Sequence, residues 1–395
     1  MTKLDGLRTW IEIDGKAARH NYHAFRRLLA PRVKLWAVVK SNAYGHGLAL
    51  FSKLAEDSGV DGFCVDSIVE GNRLRREGIQ KPILILGPTL PARLSDAADC
   101  GITVSVSNFE ALKALTRPKT VPSFHLKIDT GFHRQGFYVE ELPRVLKILR
   151  YPSSVISHKL TGVFTHFASA KDVTYPTYTE LQLKKFEEAL RMLKKAGFRN
   201  LTAHAAATGA ASINPKYHFD AVRIGMGLYG FHASPELEMQ LRRPVGGRSP
   251  DPAGLRASGL PSLILEPVLS WRTVISEVKK FSAGDYIGYD ITERMCHAGV
   301  MAILPIGYWH GFPRAFSSIG QVLVGGKFAK VIGRVSMDLT AIDVTGIRCR
   351  PGTVVTLLGK SGREEIRAQE AARMIGTTQY ELLTRLNPLM ERFLV

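Results

Sequence analysis

The strongest constraint on this chain is an alternation. Between residues 10 and 235, short apolar, β-branched runs take turns with longer segments of helical spacing. The strand candidates are Leu35–Val39, Gly62–Val65, Ile83–Leu86, Ile102–Ser105, Phe124–Ile128, Gly162–Thr165, Leu201–Ala203 and Ala221–Ile224, eight in all. Among the intervening segments, Leu181–Ala196 puts Leu181, Leu183, Phe186, Leu190 and Leu193 on one helical face. Strands that alternate with helices and are covered on both faces make a parallel sheet. Eight such units in about 225 residues have the size of a closed (β/α)8 barrel of TIM type. An open doubly wound sheet is the alternative for the same pattern.

The character changes after residue 234. Residues 240–262, QLRRPVGGRSPDPAGLRASGLPS, are rich in Gly, Pro, Ser and Arg and read as an exposed linker. Beyond them, Leu263–Leu265, Val274–Val278, Val300–Leu304, Val322–Val324, Ala341–Val344 and Val354–Leu358 are strand-like and separated by Gly-containing turns. Ala368, Ala371, Met374 and Ile375, then Leu382, Leu383 and Leu386, keep helical spacing to the end. The expected organisation is a barrel over 10–239, the linker, and a smaller, mainly β domain over 263–395.

Charge first suggests another kind of partner, since 53 Lys+Arg against 35 Asp+Glu leaves a formal charge of +18. The cations are nevertheless dispersed over helical faces, as at Arg26, Arg27, Arg73, Arg75, Arg76, Lys184, Lys185, Lys194 and Lys195. That is the pattern of solvated surfaces, with no nucleic-acid module to go with it. Only Arg242, Arg243, Arg248 and Arg256 concentrate locally, where a salt-sensitive polyanion contact is the reading. Cys64, Cys100, Cys296 and Cys349 lie far apart, which excludes a disulfide framework or a zinc knuckle. An N-terminus without an apolar signal core, and no run long enough to span a membrane, point to a cytoplasmic chain without membrane segments.

In a barrel of this type the chemistry sits at the carboxyl ends of the strands, so the residues there are informative. Lys40 ends the first run, Lys127 and Asp129 end the fifth, His166 ends the sixth, His204 follows the seventh and Arg223 lies in the eighth. Five largely apolar residues, Leu35 to Val39, carry Lys40 into the mouth, where desolvation disfavours the ammonium form and favours an imine-forming amine or base. After the eighth run, Gly225-Met226-Gly227-Leu228-Tyr229-Gly230 formally satisfies G-x-G-x-x-G. Its place at the end of the series, with no acidic strand end about 20 residues later, argues against a dinucleotide site and for a phosphate held by backbone N–H groups. A phosphate-bearing cofactor beside an imine-forming lysine suggests pyridoxal 5'-phosphate.

These residues resemble those of a known family, the alanine racemases. Lys40 lies in AVVKSNAYGHG, similar to that family's cofactor-lysine signature. Further matches are EGNRLRREGIQKPILILG (70–87), LKIDTGFHRQGF (126–137), GVFTHFASAKD (162–172), VRIGMGLYG (222–230), GDYIGYD (284–290), LPIGYWHGFPR (304–314) and GRVSMDLTAIDVT (333–345). The resemblance runs in order from Thr9 to about Arg385. It implies a barrel, a β domain that also takes in residues 1–9, and a homodimer whose active sites are completed across the interface. It also implies racemisation of alanine that supplies D-alanine for peptidoglycan. Lys40 would hold the cofactor and act as base on one face of the substrate, with Tyr289 of the partner chain as base on the other. Arg223 would face the pyridine nitrogen and Arg134 the ring hydroxyl. Tyr44, Thr208, Gly225 and Met226 would face the phosphate. His166 would lie against the ring, His204 would support Arg223, and Lys127 matches a lysine that many members carry as a carbamate. Tyr308, Met337 and Asp338 would shape the entrance and anchor the substrate carboxylate, and Arg134 would share in substrate binding. No metal is implied.

Two bases of matched strength must flank a planar intermediate if a proton leaves one face and returns to the other. A tyrosine of reference pKa about 10 needs nearby cations, here Arg223 and a charged histidine, to serve as one of them. Arginine opposite the pyridine nitrogen cannot readily give up its proton, which disfavours transamination. The chain departs from the family at Ala207, where Asn is usual, at Thr208, where Ser is usual, and at Asp290, where Gly is usual. Around Pro388 it lacks the R-V-P-R ending. Competing readings are a racemase of the same fold acting on serine or a broader amino-acid range, a pyridoxal phosphate carrier, and a decarboxylase of the same fold type. GDYIGYD and GRVSMD speak against a carrier, which needs no second base, and Tyr289 speaks against a decarboxylase, which would use an acid or thiol there.

Overall fold

A computed structural model describes residues 6–117, 120–150, 155–172, 175–241 and 262–395. The chain forms two compact units. One comprises Met1–Gly15, Asn42–Leu50 and Pro267–Val395, the other Lys16–Ser41 and Phe51–Glu266. The first strand of the chain, β1 (Thr9–Ile13), belongs to the former, so the expected boundary between residues 9 and 10 falls inside a strand. Arg242, Arg243, Arg248 and Arg256 lie outside the described residues.

In the second unit eight strands run parallel: β2 (Lys34–Val38), β3 (Gly62–Val65), β4 (Ile83–Ile85), β5 (Val104–Val106), β6 (Phe124–Lys127), β7 (Leu160–Phe164), β8 (Thr202–Ala207) and β9 (Ala221–Ile224). Their order is β4-β3-β2-β9-β8-β7-β6-β5. A parallel bridge between Leu84 and Thr103 joins the two ends, so the sheet closes into a barrel and the open-sheet alternative falls away. Strands β3, β4, β5, β6 and β9 are buried at every residue, as expected where helices cover the outside and side chains fill the inside. The helix Thr177–Lys195 buries Leu183, Phe186, Ala189 and Leu193 on one face.

In the first unit, nine strands continue the count: β10 (Leu269–Val274), β11 (Glu277–Phe281), β12 (Gly299–Leu304), β13 (Gln321–Val324), β14 (Lys327–Ile332), β15 (Thr340–Asp343), β16 (Val354–Ser361), β17 (Glu364–Ile366) and β18 (Glu391–Leu394). The sheet order is β11-β12-β15-β14-β13-β16-β10-β1-β18, with β17 on β16. β1 is antiparallel to β10 and parallel to β18, which gives residues 9–13 an interior place in this sheet.

Three expectations need correction. Leu263–Leu265 forms no strand. Its neighbourhood is satisfied instead by side chains, with Asn21 donating to Glu266 O (2.8 Å) and accepting from Glu266 N (2.9 Å). Val274–Val278 divides between β10 and β11, because Ile275 N bonds Thr353 O while Ser276 N bonds Ile303 O. The closing helical segment is two helices, Ala368–Met374 and Gln379–Thr384, separated by a turn in which Gly376 takes a left-handed φ of 70°. Among the described residues no helix is long and apolar enough to cross a membrane, and no group of three His, Cys, Asp or Glu could hold a metal ion.

Candidate active site

Lys40 follows β2 after a single residue, Val39, and opens an unusual turn. Ser41, Asn42, Ala43 and Tyr44 all have φ between 51° and 55°, one turn of left-handed helix, a conformation that costs L-residues roughly 1–2 kcal/mol each. Local hydrogen bonds hold it: Gly45 N and Gly47 N bond Asn42 O, Leu48 N bonds Asn42 Oδ1, and His46 Nδ1 lies 3.1 Å from both Ala43 O and Tyr44 O. Burial keeps His46 neutral, with its pKa lowered to about 3. On the barrel side, the Glu70 carboxylate accepts from Ser41 N (2.6 Å) and Asp66 N (2.8 Å). The Lys40 ammonium lies 3.6 Å from Asp66 and its side chain is 36% exposed. Enclosure of Lys40 is therefore less complete than the apolar run before it suggests.

Opposite, Arg223 is almost wholly buried inside the barrel. Register places it beside Trp36 of β2 and Ala207 of β8. Its Nη2 donates to Thr165 O (2.8 Å), Ala205 O (3.0 Å) and His166 Nδ1 (3.3 Å), and its Nη1 to His204 Nδ1 (2.5 Å). Burial lowers its pKa to about 10, which still leaves it charged at neutral pH. Burial, aided by Arg223, lowers His166 to about 3 and His204 well below its usual value. Neither His166 nor His204 therefore supplies the charged histidine expected near the second base, because a cation beside Arg223 would be doubly penalised.

Lys127, at the end of β6, is buried too, donates to Gln135 Oε1 (3.1 Å) and lies over the Phe164 ring. Desolvation, then the cations Arg134 and Arg223, lower its pKa to about 8. The guanidinium of Arg134 rests 4.1 Å above Phe132. Among the described residues neither Lys127, Arg134 nor Arg223 forms an ion pair with a carboxylate.

Asp129, whose charge partly offsets the lowering of the Lys127 pKa, is occupied in shaping the loop. It accepts from the backbone N–H groups of Gly131 (2.9 Å), His133 (3.0 Å) and Arg134 (3.0 Å). Burial alone would raise its pKa, but these donors outweigh that and hold it below the usual value. A depressed carboxylate stabilises the fold above its unfolded pKa and loses that stabilisation as pH falls through the folded value. Asp129→Ala is expected to cost about 2 kcal/mol at neutral pH. In urea titrations the gap to the parent chain should narrow as pH drops below about 4; a gap that is constant with pH would contradict this account.

The turn after β9 has its own anchor. Thr208 Oγ1 accepts from Gly225 N (3.3 Å) and Gly227 N (3.2 Å). Gly227 is needed for close packing, since a Cβ there would meet the Phe25 ring at 2.4 Å. Thr208 thus gathers the Gly225-Met226-Gly227 backbone at one end of the barrel.

The remaining candidates lie in the other unit. Tyr289 is 67% exposed, on a turn in which Gly288, Asp290 and Ile291 have φ of 77°, 64° and 53°. Asp290 tolerates the left-handed conformation that Gly usually supplies, and pairs with Arg334 (2.7 Å) and Arg314 (3.7 Å). Backbone bonds from Tyr308 N to Ser336 O and from Trp309 N to Met337 O join the segments carrying Tyr308, Met337 and Asp338, all three of them exposed. Near the departing C-terminus, Arg392 donates to Gly45 O (2.9 Å), tying that end to the turn that carries Tyr44.

Sequence reasoning did not single out Asp66, Glu70 or His125, the last lying 2.9 Å from His204 in the barrel interior. For His125 a signal existed. It is two residues before Lys127 in the same strand, and so shares its face.

Residues 13–233 match the family model described as alanine racemase, N-terminal domain, and residues 268–394 the one described as alanine racemase, C-terminal domain. An alanine racemase of Leptospira interrogans is 36% identical over 394 residues, spanning 99% of this chain and 97% of the relative. A crystal structure of the alanine racemase from Bacillus anthracis with bound L-Ala-P superposes with a TM-score of 0.88 at 32% identity, over 98% of this chain and 95% of that one. A histidine racemase from Leuconostoc mesenteroides subsp. sake has a TM-score of 0.82 at 27% identity over 99% of both chains.

Proposed function

Because the chain belongs to the alanine racemase family, we propose that this isomerase interconverts L-alanine and D-alanine with pyridoxal 5'-phosphate as cofactor, working as a homodimer that supplies D-alanine for peptidoglycan. One observation carries the reading. Lys127 has its pKa lowered to about 8 by burial, then by Arg134, Arg223 and Lys40, and among the described residues Lys127, Arg134 and Arg223 form no ion pair with a carboxylate. Lys127 and Arg223 are buried, and buried cations without an ion-pair partner call for an anionic occupant. A phosphate and a phenolic oxygen suit them, and so does a lysine carbamate.

Pyridoxal phosphate, when bound, supplies the electron sink that acidifies the α-hydrogen of an amino acid. Lys40 would link to it and exchange the proton on one face. Tyr289 of a second copy would do so on the other, and Tyr308, Met337 and Asp338 of that copy would border the substrate. Arg134 would face the ring hydroxyl and the substrate carboxylate, and His166 the ring itself. Tyr44, Thr208, Gly225 and Met226 would hold the phosphate, where a Thr hydroxyl keeps the function of the usual Ser. Arg223, held by neutral His204 and still charged, would present N–H groups to the pyridine nitrogen without yielding a proton.

Lys127, with its pKa near 8, has a fraction of free amine at neutral pH able to add carbon dioxide. The resulting carbamate would offset Arg134. Intact-mass spectra in bicarbonate buffer should then show one added carbon dioxide that is lost in Lys127→Ala; an unmodified parent chain would argue against the carbamate.

The test of the whole reading is a chirality and solvent-exchange assay with pyridoxal phosphate and a panel of amino acids. Racemisation of alanine ahead of serine and histidine is expected. Exchange without racemisation, or preference for another amino acid, would refute it.

A further inference from the structure

We propose that His125 is a positioning residue that fixes the tautomer of His204 and, through it, the aim of Arg223. The proposal rests on the reading of Arg223 above. His125 Nδ1 lies 2.9 Å from His204 Nε2, and His204 Nδ1 lies 2.5 Å from Arg223 Nη1. A guanidinium can only donate, so His204 Nδ1 must present its lone pair. His204 then carries hydrogen on Nε2 and donates it to His125 Nδ1, which leaves the hydrogen of His125 on its own Nε2. No other arrangement of neutral rings satisfies both contacts.

The surroundings keep the chain of donors in place. Phe164 stacks on His204 at 4.9 Å and 4°, and Trp36 packs against both rings at 4.9 and 5.7 Å. A Cβ on Gly162 would lie 2.6 Å from His125 ring atoms, so β7 leaves the imidazole no room to swing. Burial foremost, with Arg223 adding to it, lowers His125 to about 3, so the ring accepts rather than competes as a cation. Without His125, the Nε2–H of His204 would be buried unsatisfied. The opposite tautomer would turn a hydrogen against Arg223. Either outcome loosens the guanidinium.

The comparison is between His125→Leu, which fills space without an acceptor, and His125→Asn, whose amide oxygen falls near the former Nδ1. In the protein without cofactor, nitrogen NMR should report His204 as the Nε2–H tautomer in the parent and Asn forms, and as a mixture in the Leu form. In the holoenzyme, conversion of bound pyridoxal phosphate to pyridoxamine phosphate should rise about tenfold relative to racemisation in the Leu form, the scale of one buried hydrogen bond to a charged group. The Asn form should stay near the parent. If His125→Leu does not fold, His125→Gln, whose amide lies one carbon too far out, replaces it. An unchanged tautomer, or a changed tautomer with an unchanged partition ratio, overturns the proposal. Absence of racemisation in the parent holoenzyme would refute the function while the NMR result still decides whether His125 sets the tautomer.

Discussion

Lys40→Ala is expected to abolish turnover, by roughly 10⁴-fold or more, and with it the absorbance band of lysine-linked pyridoxal phosphate. The expectation follows from position rather than residue type. Lys40 is the second residue beyond β2, on the barrel end where Lys127 and Arg223 contribute charge, and a left-handed turn begins at the next residue. Backbone strain of that kind persists only where surrounding contacts hold it, and here Glu70 and Asn42 do so. Among the described residues the one close partner of the ammonium is Asp66 at 3.6 Å, and both side chains are more than a third exposed. Such a pair stabilises a fold by less than about 1 kcal/mol, so the variant should fold normally. Small primary amines added to it should restore part of the turnover. A folded Lys40→Ala protein that keeps the linked absorbance band, or racemises at the parent rate, would remove Lys40 from the proposed chemistry.

How much of this could be read in the sequence depends on what each level of structure responds to. Barrel strands β3 and β9 coincide with their apolar runs because parallel strands covered on both faces need such residues throughout. β8, Thr202–Ala207, extends beyond its run because alanine has no strand preference; its neighbours β7 and β9 impose the extended form. β14, KFAKVI, and β18, ERFL, carry too many polar residues to show as strands, and pairing decides them. In the site, Lys40, Lys127 and Arg223 were legible because each sits at or close to a strand end. The partners that set their state were not. Glu70, which steadies the turn after Lys40, is 30 residues away, and His125 and His204 are brought together only by the closure of the barrel. Neutrality of the histidines is likewise a consequence of burial beside Arg223, which no local pattern encodes.

Tyr289→Phe is the complementary experiment, and its expected result is asymmetric. Removing one hydroxyl from a side chain that is two-thirds exposed should leave stability within about 0.5 kcal/mol of the parent and leave cofactor binding intact. Turnover should fall by about 10²–10⁴-fold, the range for loss of a positioned acid or base. Because two enantiomers have equal free energy in water, kcat/KM must fall equally in both directions; a one-directional defect in racemisation is thermodynamically excluded. Proton exchange carries no such restriction. The enantiomer whose α-hydrogen faces Lys40 should still exchange it with solvent, while the other should neither exchange nor invert. Washout of α-deuterium from one enantiomer should therefore outrun inversion, and equal washout from both would assign the second face to a group other than Tyr289. Mixing the two variants tests whether that face comes from a second copy. Each variant alone should racemise at least about 10²-fold more slowly than the parent, but random two-fold dimers of the two would contain about one intact site in four if each site takes the two residues from different chains. Recovery of activity on mixing supports the shared site; its absence, with dimers formed, would place both bases in one chain.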